Sequence, residues 1–258
     1  MTGTWLDPLR RALDGRIAPL TVFCRDDDAG WDDDALLALV EVCGRYRVPL
    51  DLAVIPAELT DERAALLLQQ RANHPSRLGL HQHGWAHLNH EPPGRKCEFG
   101  PARGPGAWRA DVVLGRERMA AMLGPAADDV FTPPWNRCEP GLADILDDLG
   151  FTVLSRDVSA PPAAHPRLRE CPVHVDWTAK RDGVRLSLET LGTRCADAVQ
   201  GGLVGLLFHH AAMDGDDLRH VDALFAVLTG APCVRFVPLL DAAGQPDAPR
   251  DGSTGAPA

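Results

Sequence analysis

Apolar and polar positions follow two alternating patterns along this chain. Short apolar and β-branched runs, about four to eight residues long, are separated by longer stretches with the three-to-four-residue spacing of amphipathic helices. The runs at 20–25, 48–55, 78–83, 129–135, 151–155, 171–177, 203–208 and 234–239 read as strands. Segments 4–13, 32–45, 60–73, 108–123, 141–149, 187–199 and 217–228 read as helices, several of them opened by Asp, Thr or Ser at the expected cap. Such regular alternation predicts a parallel sheet with helical crossovers, either a barrel or a doubly wound sheet. One domain over residues 1–240 suffices at this length, and the Gly-, Pro-, Asp- and Ala-rich residues 241–258 are expected to be a disordered tail.

Polar residues crowd at the ends of these runs. Asp26, Asp27 and Asp28 directly follow the first strand, and like charges there are unfavourable unless a cation or a proton relieves them. The second triplet, Asp32 to Asp34, opens a helix, where carboxylates complement the dipole, so its expected role is structural. An EF-hand is excluded, because Leu37 stands where counting from Asp26 requires a bidentate glutamate. The third strand runs into His81, His83, His87 and His90, four of the ten histidines. His83 and His87 are spaced so that a helical turn or tight bend brings both rings to one side, and two neutral imidazoles with one further ligand suit a divalent metal. Pro133 and Pro134 end the fourth run, leaving the amide of Trp135 free to point into a site. His209 and His210 follow the run at 203–208. Each group falls at the C-terminal end of a different strand, which in a β/α barrel is the face that carries active sites.

Composition narrows the alternatives. Hydrophobic residues make up 45% and charged residues 24%, as in ordinary globular proteins. A formal charge of -10 opposes a nucleic-acid partner. No signal pattern opens the chain and no apolar run reaches the ~18 residues of a membrane span, so the expected location is cytoplasmic. The 7 cysteines are scattered without a Cys-x-x-Cys pair and read as reduced, buried thiols. Neither a dinucleotide fingerprint nor a P-loop occurs. Residues 91–107, rich in Gly and Pro, form a long loop expected to cover the histidine side of the barrel.

The residues together resemble the polysaccharide deacetylases with the NodB homology domain, carbohydrate esterase family 4. Arg25-Asp26-Asp27-Asp28-Ala29-Gly30 is similar to the family's Thr-Phe-Asp-Asp-Gly, and Gln82-His83-Gly84-Trp85-Ala86-His87 to its Asn-His-Thr-Trp-Ser-His. Thr132-Pro133-Pro134-Trp135 resembles Arg-Pro-Pro-Tyr, and Leu207-Phe208-His209-His210 resembles Leu-Leu-His-Asp. The resemblance implies a distorted (β/α) barrel of about seven parallel strands that deacetylates N-acetylated sugars, with an oligosaccharide or small molecule as substrate. It implies Asp28, His83 and His87 as ligands of a divalent metal, usually zinc and sometimes cobalt or another ion. Asp27 would be the general base, His209 the general acid, and the Trp135 amide an oxyanion donor, with Trp31, Trp85 and Pro134 lining the substrate.

Three departures stand out. Thr132 replaces the arginine that orients the catalytic aspartate, leaving that task to Arg25 or Arg137. The family's Asp-Trp pair has two rival counterparts, Asp157 and Asp176-Trp177. The extra Asp26 leaves the register of the first motif open by one residue. Three other readings compete: an iron site from His174, Asp176 and His209 or His210, another amidohydrolase barrel using His81 and His83, and a barrel that binds glycans or partners without turnover. The helix alternation argues against the first, since such iron sites are usually carried by all-β folds.

Overall fold

The structure, a computed structural model, describes residues 4–92, 94–163 and 165–244. Helix α1 (Asp7–Leu13) precedes β1 (Leu20–Ala29), α2 (Asp33–Arg45), β2 (Leu50–Val54), α3 (Asp61–Asn73), β3 (Leu78–His83) and α4 (Pro105–Leu123). Strand β4 (Ala127–Thr132), α5 (Leu142–Asp148), β5 (Val153–Leu154), β6 (Arg169–Glu170) and β7 (Val175–Asp176) follow. A small hairpin, β8 (Lys180–Arg181) with β9 (Val184–Arg185), leads to α6 (Leu188–Ala198), β10 (Leu203–Phe208), α7 (Gly215–Gly230), β11 (Val234–Phe236) and α8 (Leu239–Ala242).

The parallel sheet runs β6-β5-β4-β3-β2-β1-β10-β7, with β11 added beside the start of β1. Its two ends are joined by one continuous segment. After β6 pairs with β5, Cys171 and Val173 donate their amides to Leu154 and Arg156, then His174 donates to Gly205 and β7 pairs with β10. Taking 169–176 as one strand, the round is β1, β2, β3, β4, β5, 169–176 and β10, the distorted barrel expected of the resemblance. Part of the interior is apolar, where Phe23, Val130, Val153, Cys171, Val173, Leu207 and Val237 pack together. Gly205 is required there, because a Cβ would lie 2.4 Å from the Phe23 ring. Outside the sheet, α2, α3, α6 and α7 bury Leu36, Leu39, Leu67, Leu191, Val221, Leu224 and Phe225 against the opposite strand faces, the main source of stability in such a fold.

The helix starts follow their caps. Asp32 accepts from the amide of Ala35 and Asp33 pairs with Arg63, so the second aspartate triplet is structural. Thr60 caps α3, and Asp214 and Asp217 form a capping box on α7, which starts at Gly215 rather than at Asp217. Residues 239–242 correct the expected tail: α8 continues through Asp241 and Ala242, and Ala242 and Ala243 are buried beneath the barrel. The remainder of that segment, 245–258, lies outside the described residues. Among the described residues no helix is long and apolar enough to cross a membrane.

Candidate active site

The site begins with an irregularity in β1. In a regular strand Asp26 and Asp28 would face one way and Arg25 and Asp27 the other. Arg25 and Asp27 do point together into the barrel, where the guanidinium holds the carboxylate through Nε to Oδ1 at 2.8 Å and Nη2 to Oδ2 at 3.0 Å. Asp26 faces outward and takes both the amide (3.0 Å) and the Nδ1 (2.6 Å) of His210, whose Nε2 donates to the Trp31 carbonyl. Pairing with β2 slips between Asp26 and Ala29, and Asp28 adopts φ 70. That left-handed residue turns its carboxylate to the side where β3 ends. In this geometry Asp26 meets His210, Asp27 meets Arg25, and Asp28 meets the histidines.

His83 ends β3 and His87 sits in the loop beyond it, with their Nε2 atoms 3.3 and 3.1 Å from Asp28 Oδ1. Nδ1 of His83 donates to the Thr132 carbonyl at 3.0 Å, which directs the Nε2 lone pair at Asp28. Burial pushes the Asp28 carboxyl up, but when the imidazoles of His83 and His87 carry a proton on Nε2 their hydrogen bonds and charge outweigh burial and hold it well below the usual range. Two buried atoms at this point, Asp28 Oδ1 and His83 Nε2, have no hydrogen-bond partner among the described residues. Leaving buried polar atoms unpaired costs about 1–3 kcal/mol each. Three ligand atoms of carboxylate and imidazole type within 4.8 Å of one another are the donor set that a divalent cation would satisfy.

The loop is held by a residue that pattern reading did not find. Glu98 is fully buried and its carboxylate accepts from the amides of Ala86 (2.9 Å), Trp85 (3.3 Å) and Leu88 (3.5 Å), the residues that flank His87. Gly84 is the necessary hinge, with φ 58 and no room for a Cβ beside Glu98 and Pro134. The only sequence trace of this role is a lone glutamate among the turn formers of 91–107. That loop does lie beside the histidines, since Lys96 lines the cavity that His83 and His87 also line. His90, Glu98 and Asp111 form a second group of ligand type, but Arg103 is paired with Asp111 and the three amides occupy Glu98.

Strand β4 stops at Thr132, earlier than predicted. Trp135 lies beyond it in a turn, with φ 57, followed by Asn136 with φ 59. Its amide makes no hydrogen bond among the described residues. The His87 ring is packed between Trp31 and Trp135, at 4.8 and 4.3 Å between centroids. From the end of β10, His209 places Nδ1 2.9 Å from the Thr178 hydroxyl and 3.6 Å from Asp176. Burial pushes the His209 imidazole down, but Asp176, Asp27 and Asp28 outweigh it, and the group ends at about 9, protonated at neutral pH. Asp176 is thus the acidic neighbour of His209. Asp157 instead accepts from Ser159 in its own turn.

These residues meet in one cavity of about 460 Å³ lined by Asp27, Asp28, Trp31, His83, His87, Trp135 and His209. Trp85 and Pro134 are not brought to it. Trp85 contributes its backbone to Glu98 and Ala57, and Pro134 is buried under Gly84. Trp177 is buried in the core, its Nε1 donating to Asp217, so it offers no face to a ligand. The arginine task falls to Arg25, which also reaches Ser155 and Asn136, while Arg137 donates to the Lys96 carbonyl. His81 is buried, bound to the Thr132 hydroxyl, and kept neutral by burial and by Arg25. His81 and His174 join no metal-type group among the described residues, which removes the geometric basis of the two rival metal sites.

No protein-family profile matches the sequence, and no curated protein matches it. Solved structures do. A protein from Mycobacterium smegmatis assigned as a polysaccharide deacetylase superposes with a TM-score of 0.65 at 14% identity, covering 93% of this chain and 96% of that one. A family 4 acetyl xylan esterase from Clostridium thermocellum, in complex with a cobalt ion, gives 0.56 at 16% identity over 86% of this chain and 89% of that one. A carbohydrate esterase family 4 pseudoenzyme from Bacillus anthracis gives 0.57 at 11% identity over 88% of this chain and 66% of that one. The chain therefore has the NodB-like fold of the family 4 carbohydrate esterases and polysaccharide deacetylases.

Proposed function

We propose that this barrel is a single catalytic domain that hydrolyses an N-acetyl amide of a sugar or related small substrate with the help of one divalent metal. The observation that carries the reading is the pair of buried, unpartnered atoms on Asp28 and His83 facing His87, with Asp27 and His209 on other strand ends around the same cavity. Asp28, His83 and His87 would hold the metal, and two imidazoles with a carboxylate favour zinc, with cobalt or another divalent ion also accommodated. Such an ion, when bound, supplies an acidified water and polarises the acyl oxygen.

The chain's own groups do the rest. Asp27 takes the proton of the attacking water, held in place by the two contacts from Arg25. The free Trp135 amide donates to the developing oxyanion. His209, charged at neutral pH, gives its proton to the departing nitrogen and is kept charged by Asp176. Trp31 and Trp135 supply apolar walls on which a sugar ring can stack. A fold shared with a pseudoenzyme does not by itself imply turnover, so activity rests on these residues.

The test compares leaving groups. An amine must be protonated as it departs, whereas a nitrophenolate leaves as the anion. His209→Ala is expected to lose ~10²-fold or more of the activity on an N-acetyl sugar but far less on an aryl acetate. Equal losses on both substrates would remove His209 as the acid. Absence of any amide hydrolysis by the metal-loaded wild type would remove the deacetylase reading, leaving a binding barrel.

A further inference from the structure

A second cavity, of about 310 Å³, adjoins the first and shares Trp135 with it. Its wall carries Arg95, Arg137 and Arg156 against Asp157 and Asp176. The charges on this wall are already spoken for at one end only. Arg156 is neutralised by Glu170 through both Nε and Nη2 and Asp176 faces His209, while Asp157 accepts one amide in its own turn and keeps its negative charge. Arg95 and Arg137 have no carboxylate within ion-pair distance among the described residues, and Lys96, which lines the first cavity, has its ammonium 5.8 Å from the centre of the Trp135 ring. Partial burial and the nearby charge of Arg95 both depress Arg137 below its usual range. Acidic residues outnumber basic ones in this chain by 36 to 26. Set against the one carboxylate of Asp157 that no cation pairs, the two arginines leave a local positive excess beside the proposed active site that an anion would relieve.

We propose that this cavity is a subsite for an anionic substituent of the substrate, a carboxylate or a phosphate, gripped by Arg95 and Arg137 beside the scissile amide. The inference rests on reading the neighbouring cavity as the amidase centre. Guanidinium groups suit both anions, since their fork of donors matches two oxygens at once. A substrate bearing its negative charge on the Trp135 side would also be drawn towards the site by a positive rim on an otherwise acidic protein.

The test is equilibrium binding to the metal-loaded protein of three probes: N-acetylglucosamine, its 6-phosphate, and N-acetylmuramic acid, which carries a carboxylate. The wild type is expected to bind at least one charged probe ~10-fold or more tightly than the neutral one, because only the charged probes make charge-assisted hydrogen bonds to the two guanidinium groups. Whichever charged probe binds tighter identifies carboxylate or phosphate. The Arg95→Ala, Arg137→Ala double variant is expected to bring charged and neutral probes to within about 2-fold, with neutral affinity unchanged. Arg95→Ala alone, at an exposed position, is expected to lose part of the preference and serves if the double variant does not fold. No preference in the wild type, no detectable binding of any probe, or an undiminished preference in the arginine variants would overturn the proposal. Binding requires no turnover, so a failure to hydrolyse amides with the preference intact counts against the amidase reading alone.

Discussion

The two ends of the barrel both bury carboxylates, and they treat them differently. At the N-terminal end of the strands, Asp51 accepts the Leu239 amide at 2.8 Å. Asp128 there is met by Arg77, by Arg71 at 3.6 Å and by the Leu80 amide. Every acidic group at that end has a partner from the chain itself. At the C-terminal end, Asp26 and Asp27 are likewise answered by His210 and Arg25, but Asp28 and His83 present buried atoms that no residue satisfies. The backbone differs as well: Asp28, His87, Trp135 and Asn136 all have positive φ, and all lie at this end. What sets this end apart is that four left-handed residues surround a close set of carboxylate and imidazole donors, an arrangement suited to a ligand from outside the chain, whereas the carboxylates of the other end are held by the chain's own amides and arginines.

Removing the cation from a satisfied pair at the active end is the harshest way to probe this contrast. Arg25 and Asp27 are fully buried, so Arg25→Ala strands a carboxylate and is expected to cost ~3–5 kcal/mol of unfolding free energy. Denaturant unfolding measures it, and a loss below ~1 kcal/mol would mean that the pair is not what holds Asp27. A milder change acts through the loop. Glu98→Gln keeps the size of the side chain but removes the charge that gathers three amides around His87, so metal affinity is expected to fall ~10–100-fold with the fold intact. Unchanged affinity in a competitive chelator titration would reduce Glu98 to a loop anchor.

The opposite end yields the smallest effect, and it depends on pH. Burial pushes the Asp51 carboxyl up and Asp128 adds to this, leaving it at about 7 despite the Leu239 amide and Arg77. The folded protein therefore holds a proton that the unfolded chain, with an ordinary aspartate, releases above pH ~4. The stabilisation present at low pH is lost as pH rises towards 7, and no further loss follows above it. Asp51→Asn keeps an acceptor for Leu239 and removes the titration. The variant is expected to gain on the order of 5 °C in Tm over the wild type between pH 5 and pH 8, measured by calorimetry across that range. A constant difference would show that Asp51 does not titrate there.

The same contrast explains what was legible in the sequence. Apolar periodicity located β2, β3, β10 and the helices closely, because their burial follows from side-chain type alone. It stopped β1 at Arg25, whereas the strand continues to Ala29 with every residue buried. A run of arginine and three aspartates reads as the exit from a core unless their partners are known, and those partners, Ser155, Asn136 and His210, come from distant parts of the chain. His83, His87 and the aspartate run stood out as a group because metal-type donors are rare and closely spaced, but which of Asp26 to Asp28 faces the histidines was not legible, since the slip in β1 pairing leaves no trace in the apolar pattern. Glu98 was not legible either, since its role is fixed by backbone amides that any residue could carry. The strand segment 169–176 was read from Cys171 onward, without Arg169 and Glu170, whose charged and partly exposed side chains carry no apolar signal.

Asp28, His83 and His87 are proposed to form a metal centre distinct from the neighbouring Asp27. The direct measurement is metal stoichiometry and affinity, by elemental analysis and calorimetric titration of zinc and cobalt, for the wild type and four variants. The account predicts one tightly held divalent ion per chain in the wild type and in Asp27→Asn, and loss of more than ~10²-fold in affinity in Asp28→Asn, His83→Ala and His87→Ala, beyond what a mere supporting residue would cost. Full occupancy in the His83→Ala variant, or no ion bound by the wild type, would contradict it.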